Sequence, residues 1–392
     1  MSLETLKKTY HIARLPASAR NECLRDAVLG LSRNDPGIDT SIREAIEWLG
    51  RAQDNSRSRD GGVARHYSLV NGWSASYPET TGYIVPTMLE YAERQGDGAV
   101  RERAQRMLAW LVSIQFANGA FQGGVIGQEP VVPVTFNTGQ ILIGLASAVR
   151  ILGEYREAMI KAADWLVSTQ DTDGCWRSYP SPFAAPGEKT YDTHVAWGLF
   201  EAARVEPRKP YADAAVANVK WALRHQRDNG WFDRCCLEEP SRPLTHAIGY
   251  VLRGVVEAYR FTNDRLFLEA GRKTADGVLG AVRSDGFLPG RLDARWNGAV
   301  PWACLTGSVQ VAASFLILYG VTGESRYRDA AYDLNRYVRR TVRITNPAGT
   351  RGGIKGAFPV FGDYGTYQYL NWAAKFFIDS QIAEQDARES RA

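Results

Sequence analysis

The feature that most restricts this chain is a short motif that returns along its length. Glu47-Trp48-Leu49-Gly50-Arg51-Ala52-Gln53 reappears as Ala109-Trp110-Leu111-Val112-Ser113-Ile114-Gln115, then from Asp164 through Trp165 to Gln170, and from Lys220 through Trp221 to Gln226. Trp leads Gln by the same interval each time. Two degraded copies end near Val282 and Val342, the second keeping an aromatic residue at Tyr337. A glycine turn follows every copy: Asp60-Gly61-Gly62, Asn118-Gly119, Asp173-Gly174, Asn229-Gly230, Asp285-Gly286 and Arg351-Gly352. Asn-Gly and Asp-Gly favour turns because both residue types tolerate positive φ. Self-similarity at a fixed period means stacked units, none of which buries its apolar face alone.

The Trp/Gln segments are amphipathic, as in Arg101-Glu102-Arg103-Ala104-Gln105-Arg106-Met107-Leu108, so one face meets water. After each turn comes a loop and then a segment that is apolar nearly all round, such as Gly139-Gln140-Ile141-Leu142-Ile143-Gly144-Leu145-Ala146. Helices of that composition are buried. Their starts fall near Thr80, Asn137, Asp192, Thr245, Thr306 and Tyr369. Each unit therefore predicts an outer and an inner helix. The chain begins with a lone outer helix, about 41–53, and ends with a lone inner one, about 369–381. Joining them makes a sixth hairpin and leaves no open end to cap. The expected fold is all-α: an (α/α)6 toroid of six helical hairpins, closed by pairing of the N-terminal outer and C-terminal inner helices. Residues 1–392 read as a single domain, with 1–38 as an N-terminal extension and 342–367 as the longest loop, a candidate lid.

Composition narrows the function. The net charge of +4 over 392 residues comes without a Lys/Arg run, so no nucleic-acid partner is expected. No stretch approaches the roughly 18 uninterrupted apolar residues of a membrane span. The first 15 residues lack a signal-peptide core, and five cysteines in a long chain make no disulfide framework, which together point to the cytoplasm. Eleven Trp, 18 Tyr and 14 Phe can fill a core and still line a ligand site.

Inner-to-outer connections are short, whereas outer-to-inner connections are long and rich in aromatic and charged residues. Long loops on one face of a rigid scaffold carry function, and here that face also receives the inner-helix N-termini, which favour anions. Aligning those starts gives Thr80-Thr81-Gly82, Asn137-Thr138-Gly139, Asp192-Thr193-His194, Leu244-Thr245-His246 and Leu305-Thr306-Gly307. The recurring threonines suit helix capping. Repeats three and four replace Gly with His. The catalytic candidates are therefore Glu79, Asp192, His194 and His246, with the histidines expected to titrate near neutrality and the carboxylates in the acid range. Structural hydrogen bonding at a helix start is the competing role for the histidines. Candidates for substrate binding are Trp73, Tyr77, Asn137, Trp176, Tyr191, Trp231, Arg291, Asp293, Trp296, Trp302, Lys355 and Tyr364, as rings for stacking and polar donors at the pit. Cys235-Cys236, flanked by His225 and His246, lacks metal-ligand spacing. Neither a metal nor a cofactor is expected.

Six hairpins with Gln170-x-x-x-Gly174-x-Trp176 and Gln226-x-x-x-Gly230-Trp231-Phe232 resemble the α/α-toroid superfamilies, namely the six-hairpin glycosidases and the squalene-cyclase/protein-prenyltransferase group. The resemblance covers nearly the whole chain and implies fold more than reaction. The Asp-x-Asp-Asp acid of the cyclases has no counterpart here. The Asp-x-Cys zinc motif of the prenyltransferases is matched only by Asp233-Arg234-Cys235, in a loop. The tail Gly352-Gly353-Ile354-Lys355-Gly356-Ala357-Phe358-Pro359, with Tyr364 and Asn371-Trp372-Ala373-Ala374-Lys375-Phe376-Phe377, resembles proteins of bacterial exopolysaccharide clusters. That implies a link to polysaccharide metabolism. The function expected is an enzyme acting on an anionic oligo- or polysaccharide. Two carboxylates would hydrolyse it, and a His/Tyr/Asn/Arg set would abstract the proton at C5 for epimerisation or elimination. The alternatives are a non-catalytic module binding a glycan or lipid-linked precursor, and an isoprenoid-processing toroid.

Overall fold

In the computed structural model, which describes residues 12, 14–207, 209–345 and 347–390, the repeat folds into alternating outer and inner helices. The outer helices are α2 (Ile38–Asp54), α4 (Gly98–Ser113), α6 (Arg156–Ser168), α8 (Lys209–Leu223), α10 (Arg265–Ala281) and α12 (Ser325–Arg339). The inner helices are α3 (Pro78–Gln95), α5 (Thr135–Leu152), α7 (Thr193–Val205), α9 (Thr245–Thr262), α11 (Leu305–Thr322) and α13 (Asn371–Glu389). Each inner helix packs on the next, and α13 returns to α3, so the inner layer is a closed ring. The first outer helix, α2, pairs with the last inner helix, α13, as the order of the repeats requires.

The repeated glutamine is the fastener between units. The Gln115 side-chain amide donates to Gly119 O in its own turn (2.9 Å) and to Ala158 O on the next outer helix (3.0 Å). Gln170 does the same with Gly174 O (3.1 Å) and Ala214 O (2.9 Å), and Gln53 with Gly61 O and Arg103 O. The turn glycine backs onto the same helix. At Gly352, φ is +73° and a Cβ would lie 2.0 Å from Glu44 O of α2. Sixth turn and first outer helix are thus in the relation that neighbouring repeats have elsewhere.

The loop face is closed by short strands. β1 (His66–Ser68) lies between β2 (Gly72–Trp73) and β5 (Gln368–Leu370) in an antiparallel sheet, with Tyr67 opposite both Trp73 and Tyr369. β3 (Ala303–Cys304) pairs with β4 (Ala357–Phe358). The long 342–367 segment therefore contributes β4 and leads directly into β5. It is also held from below by a helix that lies within the segment read as an extension, α1 (Ala17–Val28). Lys355 Nζ, almost fully buried, meets Asp26 at 2.7 Å and Glu22 at 2.6 Å, and Asp26 accepts the Val360 amide. The 355–360 part of this segment is thus anchored to α1.

Among the described residues α11 is long and apolar enough to cross a membrane, and most of it is buried inside the ring. Its composition follows from its position, sandwiched between neighbouring inner helices and the outer layer.

Candidate active site

Where the inner-helix N-termini converge, a pit of about 630 Å³ opens on the loop face. Its lining comes from every quarter of the ring, including Arg65, Tyr77, Glu79, Tyr83, Phe136, Asn137, Tyr191, His246, Tyr250, Arg291, Tyr364 and Trp372. A cavity of this size suits a ligand larger than one sugar ring.

Glu79 sits in the first turn of α3, below Pro78 at the helix start. Its Oε2 accepts from the Tyr77 hydroxyl (2.5 Å) and from Asn137 Nδ2 on α5 (3.0 Å). Oε1 has no hydrogen-bond partner among the described residues. Burial disfavours the charged form and pushes the carboxyl up to about 7, against the opposing pull of Tyr77 and Arg65. At neutral pH Glu79 is therefore divided between acid and base.

His246, in the first turn of α9, has Nδ1 2.8 Å from Gln310 Oε1 on α11. With Gln310 Oε1 as the acceptor, Nδ1 carries the proton and Nε2 keeps its lone pair. Burial lowers this imidazole to about 4, so it is neutral in the range where Glu79 titrates. Tyr250 lies one turn further along α9, its ring 4.4 Å from the imidazole, and Tyr364 stands 5.6 Å away on the other side.

Two guanidinium groups face the pit. Arg65 lies 5.0 Å above the Trp372 ring, with Nη1 3.2 Å from His66 Nδ1. Arg291 is 4% exposed and donates Nη1 to Arg242 O at 3.1 Å. Its nearest carboxylate, Glu238, is 3.9 Å from Nη2 and mostly solvated. A buried guanidinium with so loose a counterion is disposed to take a ligand anion.

Glu79, Tyr77, Asn137, Tyr191, His246, Arg291 and Tyr364 thus come together as rotation about the ring axis requires, while the other sequence-derived candidates lie elsewhere. Asp192 ends a 3-10 turn (Thr190–Asp192) and is buried outside the lining, with Tyr191 taking the pit-facing place. His194 is 0% exposed, covered by Tyr250 at 4.5 Å and Trp197 at 4.9 Å, with Nδ1 held by Gln140 Oε1 (2.6 Å). It lies beneath the floor rather than in it. Lys355 belongs to the ion cluster with α1. Asp293 builds a turn, accepting from the Arg295 and Asn297 amides.

The remaining tryptophans pack loops onto helices. Trp73 lies 5.4 Å from Trp48 and Trp176 donates to Leu166 O. Trp302 covers Gly290, where a Cβ would lie 2.2 Å from its ring. Trp231 and Trp296 meet each other at 5.1 Å. Trp296 fills the space over Gly277, where a Cβ would lie 2.2 Å from the indole. Gly277 occupies the outer-helix position that carries Trp in the intact repeats, so a loop indole replaces the missing helical one.

Sequence reasoning missed Arg65, Tyr83, Phe136, Tyr250 and Trp372. Tyr83 and Tyr250 carried a signal, since each lies four residues beyond Glu79 or His246 and so on the same helix face.

Architecture and pit define the chain as an α/α toroid with a polar, aromatic-walled cavity at its axis. A squalene-hopene cyclase C-terminal domain model matches residues 77–255, less than half of the chain. No curated protein sequence matches it significantly. Among solved structures, the toroid superposes on an unsaturated glucuronyl hydrolase specific for heparin with a TM-score of 0.72 and 16% identity, covering 91% of this chain and 99% of that one. Cellobiose 2-epimerase from Bacillus thermoamylovorans gives 0.69 at 11% identity over 89% and 98%, and D-mannose isomerase 0.70 at 11% over 90% and 97%. Identities this low establish a shared fold across almost the full length of both chains.

Proposed function

We propose that this toroid is a carbohydrate-active enzyme of polysaccharide metabolism, acting on an anionic glycan through proton transfer at Glu79. The observation that carries this reading is the Glu79 carboxyl itself. It is buried, raised to about 7, held by Tyr77 and Asn137, and placed in one pit with a neutral His246 and two guanidinium groups. A hydrolase with paired carboxylates needs a second carboxyl across the sugar ring. Among the described residues the other carboxylates lining the pit are Glu238 and Asp363, both on loops. The set fits abstraction of the C5 proton of a uronic acid. Arg65 and Arg291 would neutralise the sugar carboxylate as Glu79 removes the proton, and the electron pair flows into that carboxylate. Return of a proton to the opposite face of C5 gives the epimer, whereas collapse of the pair into a C4–C5 double bond breaks the C4–O bond, and the departing oxygen takes up a proton and leaves as an alcohol with its substituent.

The fold relatives named for glucuronyl hydrolysis, cellobiose epimerisation and mannose isomerisation support a sugar as substrate. An isoprenoid substrate is disfavoured by the polar groups Glu79, Asn137, His246 and Arg65 in the pit. The test is incubation with uronate-containing oligosaccharides in deuterated water, followed by NMR. Deuterium at C5, or a new C4–C5 double bond, is expected. Release of a free sugar without exchange would overturn the C5 assignment, and sugar binding without any turnover would make the chain a binding module.

A further inference from the structure

The mouth of the pit holds an aromatic ring that neither the repeat nor the proton-transfer set accounts for. Phe183 is 41% exposed and is the only aromatic ring among the exposed large hydrophobic side chains of the described residues. It lines the same cavity as Glu79, together with Val125, Gln128, Ala184 and Leu237. The other aromatic rings of the lining are buried or half-buried.

The position of the ring is built. Ser181 Oγ accepts the Phe183 amide at 3.2 Å, fixing the local turn. The ring edge lies against Gly124, where φ is +72° and a Cβ would meet Phe183 Cε2 at 2.5 Å and Gln128 Oε1 at 2.9 Å. Any larger residue at Gly124 would displace the ring. Gln128 Oε1 in turn accepts the Val125 amide at 3.3 Å, which braces the loop whose Gly124 meets the ring.

We propose that Phe183 is the stacking platform for the second sugar ring of the substrate, the one joined to the sugar that reaches Glu79. This rests on the reading of the pit as a sugar site. Aromatic faces take the apolar C–H face of a pyranose, and the cavity has room beyond one ring. The charged groups that share the mouth lining include the carboxylates Glu238 and Asp363. With Arg65 and Arg291 assigned to the carboxylate of the first sugar, these two carboxylates favour an uncharged second ring over an acidic one.

The test compares wild type, Phe183→Ala and Phe183→Trp on a disaccharide with an acidic terminal sugar and a neutral second sugar. Phe183→Ala should raise KM roughly tenfold with kcat nearly unchanged, the scale of one lost apolar contact in a binding pocket. Phe183→Trp should restore KM, which a general loosening of the loop would not allow. A KM for Phe183→Ala equal to that of wild type would overturn the platform while leaving the sugar site standing. A fall in kcat at constant KM, without rescue by Trp, would assign the ring to loop structure instead. Failure of wild type to bind or turn over either this disaccharide or the acidic monosaccharide would overturn both readings.

Discussion

At the scale of single residues, the pit inverts the ordinary order of its ionisable groups. Burial raises Glu79 to about 7 and lowers His246 to about 4, so the carboxyl titrates where the histidine was expected to. The rate of a base-dependent reaction should rise with pH through one group near 7, and Glu79→Gln should abolish that limb with a loss of at least about a hundredfold in kcat. A limb that survives in Glu79→Gln would move the role elsewhere. Stability should change in the opposite sense. Glu79 binds its proton more tightly folded than unfolded, so its contribution is most favourable below the unfolded value of 4.5 and declines as pH rises to about 7. Removing the charge should therefore stabilise the fold by up to about 3 kcal/mol above neutrality and by little in acid. Urea unfolding of both proteins at about pH 4 and pH 8 measures this, and equal stability at the higher pH would contradict the burial of a charged Glu79. Glu79 and His246 were legible because helix starts in a toroid are equivalent by rotation. His194 passed the same test and lies under Tyr250, a tertiary contact that the alignment of repeats does not encode.

At the scale of elements, what could be read from the sequence was periodic and what could not was compensation. Inner and outer helices, their order and their turns followed from the Trp/Gln motif and from the two kinds of apolar pattern. The degraded fifth repeat hides its repair. Gly277 leaves a gap on α10 that Trp296 fills from a loop, and a pattern search sees only a missing Trp and an unassigned one. Trp296→Ala should cost about 2 kcal/mol, less than for a fully buried Trp, without changing KM. A selective loss of sugar binding would return Trp296 to the site. The helix α1 was hidden for a similar reason, because its role depends on a partner more than three hundred residues away. Lys355→Met would leave Asp26 and Glu22 only the more distant Arg343, at 3.9 and 3.8 Å, and should destabilise the protein by up to about 3–5 kcal/mol. Amide exchange should then accelerate in both α1 and residues 342–367. Acceleration in one alone would show that the cluster does not couple them.

At the scale of the whole molecule, closure is what turns six weak units into one cavity. Each hairpin contributes one or a few groups to the pit, and the distances among them are set by the completeness of the ring. The seam is held by Trp48 Nε1 donating to Gly349 O (2.9 Å), by Gly352 against Glu44, by β1 pairing with β5, and by α2 on α13. Deleting residues 1–53 removes α1, nearly all of α2 and the partner of the sixth turn at once. The buried face of α13, which includes Phe377, Ile378 and Ile382, would then meet water. The truncated chain should lose its cooperative thermal transition and expose apolar surface to a dye such as ANS, in the manner of a molten state. Adding a peptide of residues 17–54 in trans should restore the transition, because in a ring the missing hairpin half needs to be adjacent in space and not in sequence. Restoration would be expected to bring back ligand binding as well, since Glu79 and Arg65 follow the seam directly on the chain. If the truncated protein instead stays monomeric and melts cooperatively without the peptide, the toroid does not depend on closure, and the gathering of the pit residues would need a different cause.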